Sequence, residues 1–140
     1  MFSHTYSRGS HSREILNDST TCPWYADGYA EYTPSADAVT KLQNSITAEN
    51  EIIVFGGTWC GDTQNLLPKF YKVMDGIKPT PKTTLVLVDR DKKSGEGIEK
   101  QYKIERVPTF IVLKNGVEVG RVVESVENSI EADLAAIFNR

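Results

Sequence analysis

The chain of 140 residues contains 39% hydrophobic and 25% charged residues, an ordinary globular composition that predicts one domain with a sizeable core. Its net charge of −3 argues against a nucleic-acid-binding surface. No apolar run in the sequence approaches the roughly 20 residues that a membrane-spanning helix needs, so we expect no membrane partner.

The N-terminal extension, residues 1–35, is expected to pack on the domain formed by residues 36–140. Residues 1–21 are mostly polar and predict a loose or partly helical arm. The two histidines of this arm, His4 and His11, lie in no cysteine or carboxylate cluster with metal-ligand spacing. We therefore expect both to be exposed and predict no metal site.

Cys22 begins an aromatic cluster that is out of place in a loose arm and comprises Trp24, Tyr25, Tyr29 and Tyr32. Aromatic side chains are seldom exposed in groups, so the cluster predicts packing against the domain. Cys22 itself has two interpretations. It is either a small buried hydrophobic residue, or a resolving thiol that the arm carries to the second cysteine of the chain, Cys60.

From residue 33 onwards, predicted helices and strands alternate. The apolar patterns predict strands over 51–55, 84–88, 110–113 and 117–123. They also predict a helix over 33–48 that begins at Thr33-Pro34, a helix after Cys60 that Pro68 should kink, a short helix over 98–102, and a last helix with a capping-box-like start over 128–131. Residues 89–97 are expected to form an exposed loop. Asn115-Gly116 indicates a hairpin turn. We predict an α/β fold in which helices cover both faces of a mixed sheet of four main strands.

The stretch Gly57-Thr58-Trp59-Cys60-Gly61-Asp62-Thr63 joins the first predicted strand of the sheet to the helix after it. Cys60 therefore lies near a helix N-terminus. The unpaired N–H groups and the positive dipole end there favour a thiolate, which is the reactive form of cysteine.

This stretch resembles the thioredoxin motif Trp-Cys-Gly-Pro-Cys, and three further features agree with the resemblance. Pro68 lies eight residues after Cys60, where thioredoxins carry a kink proline; Val107-Pro108-Thr109 matches their aliphatic-Pro-Thr triplet; and Lys114-Asn115-Gly116 matches their next hairpin turn. The resemblance covers roughly residues 36–140 and implies a thioredoxin-like three-layer sandwich. It also implies that Pro108 is cis and that Val107 presents backbone groups to an incoming peptide strand.

The chain departs from the thioredoxin pattern at four positions. Thr63 replaces the second cysteine and Asp62 the proline, while the buried aspartate of the family falls on Val54 and its lysine partner near Leu85. A hydroxyl cannot resolve a mixed disulfide, so the two-cysteine mechanism is not supported. Thr63 could instead donate a hydrogen bond to the Cys60 sulfur, whereas the Asp62 carboxylate disfavours a second negative charge. Thr63 as the natural residue and Thr63 as a replacement of cysteine both remain open.

The candidate substrate-binding residues around Cys60 are Trp59, Gly61, Asp62, Thr63, Val107 and Pro108. Trp59 either shields one side of the sulfur and offers a flat apolar contact, or simply fills the core. Pro108 either forms half of the site, as the resemblance implies, or only shapes the sheet.

The residues support two function classes. In the first, the protein is a thiol–disulfide oxidoreductase in which Cys60 attacks a protein or small-molecule disulfide, and glutathione, another low-molecular-weight thiol or Cys22 resolves the intermediate. In the second, it is a non-catalytic module that binds a partner along the groove between Cys60 and Pro108. Iron–sulfur or glutathione binding of the monothiol glutaredoxin kind is disfavoured, because those proteins carry Cys-Gly-Phe-Ser.

For either function we expect a monomer with no cofactor and no nucleic-acid partner. Two cysteines are too few for a disulfide framework, so we expect the reducing environment of the cytoplasm. Residues 1–20 contain no signal-peptide apolar segment, and an exported form whose signal has been removed remains the alternative.

Overall fold

The fold is built on one mixed sheet, seen in a computed structural model that describes residues 7–140. Its strands are β1 (Gly9–His11), β2 (Asn50–Gly56), β3 (Lys82–Leu87), β4 (Thr109–Lys114) and β5 (Val117–Val123). They lie in the order β1-β3-β2-β4-β5, with β2 and β3 parallel and the other neighbours antiparallel. The predicted α/β class with a mixed sheet is confirmed, and one strand is added to the four that we expected.

Five α-helices surround this sheet in the described chain: α1 (Tyr25–Glu31), α2 (Ala36–Ser45), α3 (Gly61–Asp75), α4 (Ile98–Gln101) and α5 (Ile130–Phe138). A 3-10 helix, Arg13–Asn17, precedes them. Pro68 lies inside α3, which continues beyond it. Gly28 of α1 lies against this proline, because a Cβ at Gly28 would stand 3.0 Å from the Pro68 Cγ.

The core has two parts because alternate residues of a strand face opposite sides of a sheet. On β2, Ile52 and Val54 belong to the larger hydrophobic cluster, which also contains residues of α1, α2, α3 and α5. Ile53 and Phe55 belong to the smaller cluster, against which Ile98 of α4 packs. Each such buried aliphatic or aromatic side chain contributes roughly 1.5–3 kcal/mol. Helices therefore cover both faces, as predicted.

Residues 9–11 of the N-terminal arm form a strand of the sheet, which we did not predict, whereas the 3-10 helix over 13–17 agrees with the expected partly helical segment. Strand β1 pairs with residues 85–87 of β3 and covers an edge that would otherwise present unpaired backbone groups. His11, which we expected to be exposed, is partly buried in β1, and its Nε2 lies 2.8 Å from the carbonyl oxygen of Arg8. His4 lies outside the described residues.

The aromatic cluster packs on the domain through a clasp around Asp75 at the end of α3. Arg13 donates two hydrogen bonds to this carboxylate, at 2.6 and 3.0 Å, and the Tyr29 hydroxyl donates a third at 2.5 Å. The Arg13 guanidinium also lies 4.4 Å above the centre of the Tyr71 ring. These contacts fasten the 3-10 helix and α1 to α3.

A second clasp forms around Glu131, and near it two helices begin differently from our predictions. Ser35, not Thr33, caps α2 by accepting a hydrogen bond from the backbone of Ala38. Ser129 caps α5, and Glu131, which we placed in a capping box, is buried and accepts from the Tyr32 hydroxyl at 2.6 Å and the Ser35 N–H at 2.8 Å. The carboxylate therefore ties the end of the extension to α5 instead of closing its own helix turn.

Candidate active site

Cys60 occupies the N-cap position of α3, directly after the strand β2 and the turn that Gly57 begins. Its side chain is partly exposed, and its thiol is free. The backbone N–H of Cys60 is bonded to the Gly57 carbonyl at 2.9 Å, and its own carbonyl accepts from Gln64 at 2.9 Å. The predicted strand-to-helix junction therefore holds the sulfur at the end of a helix where N–H groups are unpaired.

The Cys60 sulfur lies 3.5 Å from the carbonyl oxygen of Val107. The peptide bond between Val107 and Pro108 is cis, as the sequence resemblance implied. The next residue, Thr109, begins β4, which pairs with β2 on the side away from β3. The fold thus brings the motif and the Val107-Pro108 step together from positions far apart in the chain.

Trp59 is both a packing residue and a surface residue. Its indole N–H donates to the carbonyl of Val88 at 2.9 Å, and the ring packs against the smaller hydrophobic cluster. Gly57 makes room for it, because a Cβ there would lie 2.5 Å from the ring. On the ring face lie Arg90, with its guanidinium carbon 5.2 Å from a ring centre, and Lys92, with its Nζ at 5.7 Å.

Thr63 is fully buried in the first turns of α3. Its hydroxyl oxygen accepts a hydrogen bond from the Gly57 N–H at 3.2 Å, which differs from the predicted donation to the Cys60 sulfur. Gly61 and Asp62 are both exposed at the start of the helix. Position 63 therefore supports the turn that carries Cys60, and Gly61 and Asp62 form its outer rim.

Cys22 is brought to a different place from Cys60. It is 1% exposed and belongs to the larger hydrophobic cluster, whereas Cys60 contacts the smaller cluster on the other face of the sheet. Burial, reinforced by the negative charge of Asp18, raises the pKa of the Cys22 thiol to about 11. Both thiols are free. This is the environment of a small core residue.

The two positions where the thioredoxin pattern has a buried aspartate and its lysine partner are apolar in this chain. Val54 and Leu85 are register partners on the parallel strands β2 and β3, and both are buried. Their adjacency matches the relationship that the sequence implied for these two positions. Neither side chain of this pair carries a carboxylate or ammonium group that could move a proton.

Sequence reasoning missed Arg90 and Lys92, which we had placed only in an exposed loop. The strand order could have indicated these two residues. Because β2 and β3 are parallel neighbours, their carboxyl ends lie at the same end of the sheet. Residues that follow β3 therefore come close to residues that follow β2.

The chain from residue 7 onwards contains neither a cluster suited to a metal ion nor a helix suited to a membrane. In this part, no three His, Cys, Asp or Glu side chains gather where they could hold a metal ion. None of its helices combines the length and the apolar character needed to cross a bilayer.

Comparison with known proteins agrees with this geometry. The thioredoxin family profile matches residues 35–136. A thioredoxin from Echinococcus granulosus is 33% identical over 104 residues, covering 69% of this chain and 92% of the relative. A thioredoxin H-type from Picea mariana is 30% identical over 99 residues, covering 70% of this chain and 75% of the relative.

One solved structure shares the fold over a greater length. A protein of unknown function from Pseudomonas aeruginosa matches with a TM-score of 0.70 at 16% identity, covering 94% of this chain and 92% of that one. The likeness in fold thus extends beyond the residues of the family match into the N-terminal extension. On the family match and the two relatives, the chain belongs to the thioredoxin family.

Proposed function

We propose that the protein is a thiol–disulfide oxidoreductase that uses Cys60 as its single exchanging thiol and an external thiol as the resolving partner. The observation that carries the proposal is the placement of the partly exposed Cys60 sulfur, at a helix N-terminus and 3.5 Å from the Val107 carbonyl beside cis Pro108. At the level of the family, the relatives indicate thiol–disulfide oxidoreductase activity.

The first step is attack of the Cys60 thiolate on one sulfur of a substrate disulfide. A bond forms between Cys60 and that sulfur, the substrate S–S bond breaks, and the second substrate sulfur leaves as a thiolate that takes up a proton. The attacking form is the thiolate, and the Cys60 sulfur lies at the start of α3, partly exposed to an incoming disulfide. No oxidant or metal is consumed in this exchange.

The Val107 carbonyl has a role on each side of this step. While Cys60 is a thiol, its S–H donates to that carbonyl at 3.5 Å. Once the thiol is deprotonated the carbonyl loses its donor, so it can accept an N–H from an extended substrate. A disulfide within a polypeptide is therefore the substrate class that this geometry suits best. Trp59, Gly61 and Asp62 would border the bound segment, and Pro108 would shape its path.

The second step needs a thiol that the motif does not contain. Glutathione or another low-molecular-weight thiol would attack the mixed disulfide and displace Cys60, which returns to the thiol after taking up a proton. One such thiol transfers the substrate to a new mixed disulfide, and a second thiol equivalent completes its reduction. Cys22 would have to leave the core to serve instead, and its burial opposes this.

The experiment is disulfide exchange with a model protein disulfide in the presence of glutathione, comparing wild type, Cys60→Ser and Cys22→Ala. We expect the wild type and Cys22→Ala to turn over and Cys60→Ser to show only the uncatalysed rate. Equal, negligible rates for the wild type and Cys60→Ser would refute the proposal. They would favour the alternative of a non-catalytic module that binds a partner along the Cys60–Pro108 groove.

A further inference from the structure

We propose that Arg90 and Lys92 make the Cys60 site selective for disulfides that carry carboxylates close to the reacting sulfur. The inference rests on the proposed function and names its substrate class. It concerns the shared chemistry of an acidic polypeptide segment and of glutathione, both of which present carboxylates near a disulfide.

The order of the strands brings the two cations to Trp59, which is the residue before Cys60 in the chain. Val88 follows β3 and receives the Trp59 indole N–H at 2.9 Å, so the loop after β3 lies against the residue that precedes Cys60. From this loop the Arg90 guanidinium carbon lies 5.2 Å, and the Lys92 Nζ 5.7 Å, from ring centres of Trp59. Both distances are within the range in which a cation is attracted to an aromatic face.

The loop that holds these cations is well supported. Asp89 accepts hydrogen bonds from the backbone N–H groups of Asp91 and Lys93, at 2.9 and 3.1 Å. Lys92 between them has a left-handed backbone with a φ of 59°, and its Nζ lies near the Trp59 ring. The turn thus presents the ammonium group in a defined place.

The arm at the N-terminus supports the same loop from the other side. Arg8 lies 3.2 Å from the Asp89 carboxylate. Ser10 of β1 donates to Glu96 from its hydroxyl at 2.9 Å and from its backbone N–H at 3.2 Å. Arg8 and the loop backbone therefore contact the Asp89 carboxylate, and the same loop brings Arg90 and Lys92 to the Trp59 ring.

Two exposed carboxylates lie in the same two segments of the chain as the cations and Cys60. Asp91 is exposed in the loop itself, and Asp62 is exposed in the first turn of α3. The groups that lie over the Trp59 ring are the two cations, Arg90 and Lys92. A substrate that approaches across the indole would meet the two cations first, whereas one that approaches along α3 would meet Asp62. The selectivity therefore reports on the side from which the substrate binds.

Carboxylates would gain in two ways at this surface. A guanidinium or ammonium group makes charge-assisted hydrogen bonds to a carboxylate that are about twice as strong as neutral ones. Opposite charges at the rim of a binding site also raise the association rate, an effect that salt suppresses. Charge at Arg90 and Lys92 should therefore change the bimolecular rate of the first step.

The test measures the second-order rate of the first step with activated peptides. Three peptides differ only in the two residues that flank their cysteine, which are Glu, Gln or Lys, and each carries a neutral 2-thiopyridyl group on the cysteine. Attack by Cys60 forms the peptide mixed disulfide and releases 2-thiopyridone, which is followed by absorbance. Glutathione activated in the same way, and its dimethyl ester, test the small-molecule source of the same carboxylates.

The variant is Arg90→Gln/Lys92→Gln, and the matched control is Lys78→Gln/Lys114→Gln. Lys78 precedes β3 and Lys114 ends β4. Both lysines are exposed, and both lie at the end of the strands that is opposite to the end carrying Cys60. The control removes the same charge from the whole protein but not from the site. The salt dependence of the wild type is a second measurement that needs no variant.

We expect the wild type to react with the Glu peptide about tenfold faster than with the Lys peptide at low salt, with the Gln peptide between them. The ratio should fall below about threefold at an ionic strength near 0.5 M, where the Debye length is short. It should fall to a similar value in Arg90→Gln/Lys92→Gln and persist in Lys78→Gln/Lys114→Gln.

The outcomes distinguish the carboxylate selectivity from the disulfide exchange by Cys60. Equal rates for the three peptides, or a ratio that is the same in Arg90→Gln/Lys92→Gln as in the wild type, would overturn the selectivity while leaving Cys60 exchange intact. Release no faster than in Cys60→Ser with every substrate would overturn the proposed function as well. A preference shown by the peptides assigns the site to acidic polypeptides, and a preference for glutathione over its ester assigns it to the small thiol.

Discussion

The Cys60 sulfur and the Val107 carbonyl oxygen lie 3.5 Å apart, although the two residues are 47 positions apart in the chain. This contact joins a thiol at a helix N-terminus to the carbonyl that precedes cis Pro108. In contrast, the other thiol of the chain, Cys22, lies in the core. The two thiols should therefore behave differently towards any reagent that arrives from solvent.

The two cysteines should differ strongly in alkylation rate. Cys60 is partly exposed, whereas burial raises the pKa of Cys22 to about 11. At neutral pH we expect Cys60 to react at least about tenfold faster with iodoacetamide, because the thiolate is the reacting form. Mass spectrometry of the modified peptides over time gives both rates. Labelling of Cys22 before Cys60 at pH 7 would reverse the assignment.

The substitution Thr63→Cys should add an internal resolving thiol next to Cys60. The new thiol could attack the Cys60 sulfur of the mixed disulfide, release the substrate as a thiol and close a disulfide with Cys60. One equivalent of the reduced variant should then reduce a protein disulfide without glutathione. Thr63→Val is the matched control, because it removes the hydroxyl without adding a thiol. It should lose about 1–2 kcal/mol of stability from the unpaired Gly57 N–H and gain no activity. Equal activity of the two variants would contradict the expectation.

The substitution Glu131→Ala should destabilise the protein by about 2–3 kcal/mol. It removes a buried acceptor and leaves the Tyr32 hydroxyl and the Ser35 N–H without their partner. Glu131→Gln keeps one carbonyl oxygen and should lose less than half as much. Urea denaturation gives both values from the midpoints. A loss as large in Glu131→Gln as in Glu131→Ala would contradict the expectation that the retained carbonyl oxygen stabilises the clasp.

The contribution of the Asp75 clasp should depend on pH. The hydrogen bonds from Arg13, and then that from Tyr29, hold the pKa of Asp75 below its ordinary value despite partial burial. The stabilisation is therefore fully present above the unfolded-state pKa of roughly 3.9 and is lost as the pH falls through the lower folded-state pKa.

The clasp is tested by thermal denaturation of the wild type and Asp75→Asn from pH 7 to pH 3. The difference in Tm between the two proteins at each pH gives their difference in stability. At pH 7 the variant should be less stable by about 1 kcal/mol, a value kept low because both charged partners are partly exposed. The difference should narrow below about pH 4. Asp91→Asn, at an exposed loop position, is the control. A difference that stays constant or widens in acid would contradict the assigned role of Asp75.

Much of the central fold could be predicted because local patterns and tertiary structure agree there. The hairpin at Asn115-Gly116 has positive φ at both residues, 54° and 78°, as an Asn-Gly turn requires. The predicted strand 117–123 coincides with β5. The cis bond at Pro108 was different in kind, since only the family resemblance implied it.

Strand β1 of the extension and the two cations beside Trp59 could not be predicted, because they depend on contacts between distant residues. Strand β1 has three residues, too few to show a period, and only its pairing with β3 makes it a strand. Glu131 has the spacing of a capping box, yet a tertiary hydrogen bond from Tyr32 determines its position. In the sequence, Lys92 is one of several charged residues in the loop over 89–97. Only the folded structure shows that it lies over Trp59.

The measurement that tests the central claim most directly is the location of the mixed disulfide. The reduced protein is mixed with one equivalent of a 2-thiopyridyl-activated peptide, quenched with acid, and digested for mass spectrometry. The single-thiol mechanism predicts peptide attached to Cys60 in the wild type and at the same rate in Cys22→Ala, with no rapid adduct in Cys60→Ser. An adduct on Cys22, or a disulfide between Cys22 and Cys60 that forms as the peptide leaves, would contradict that mechanism.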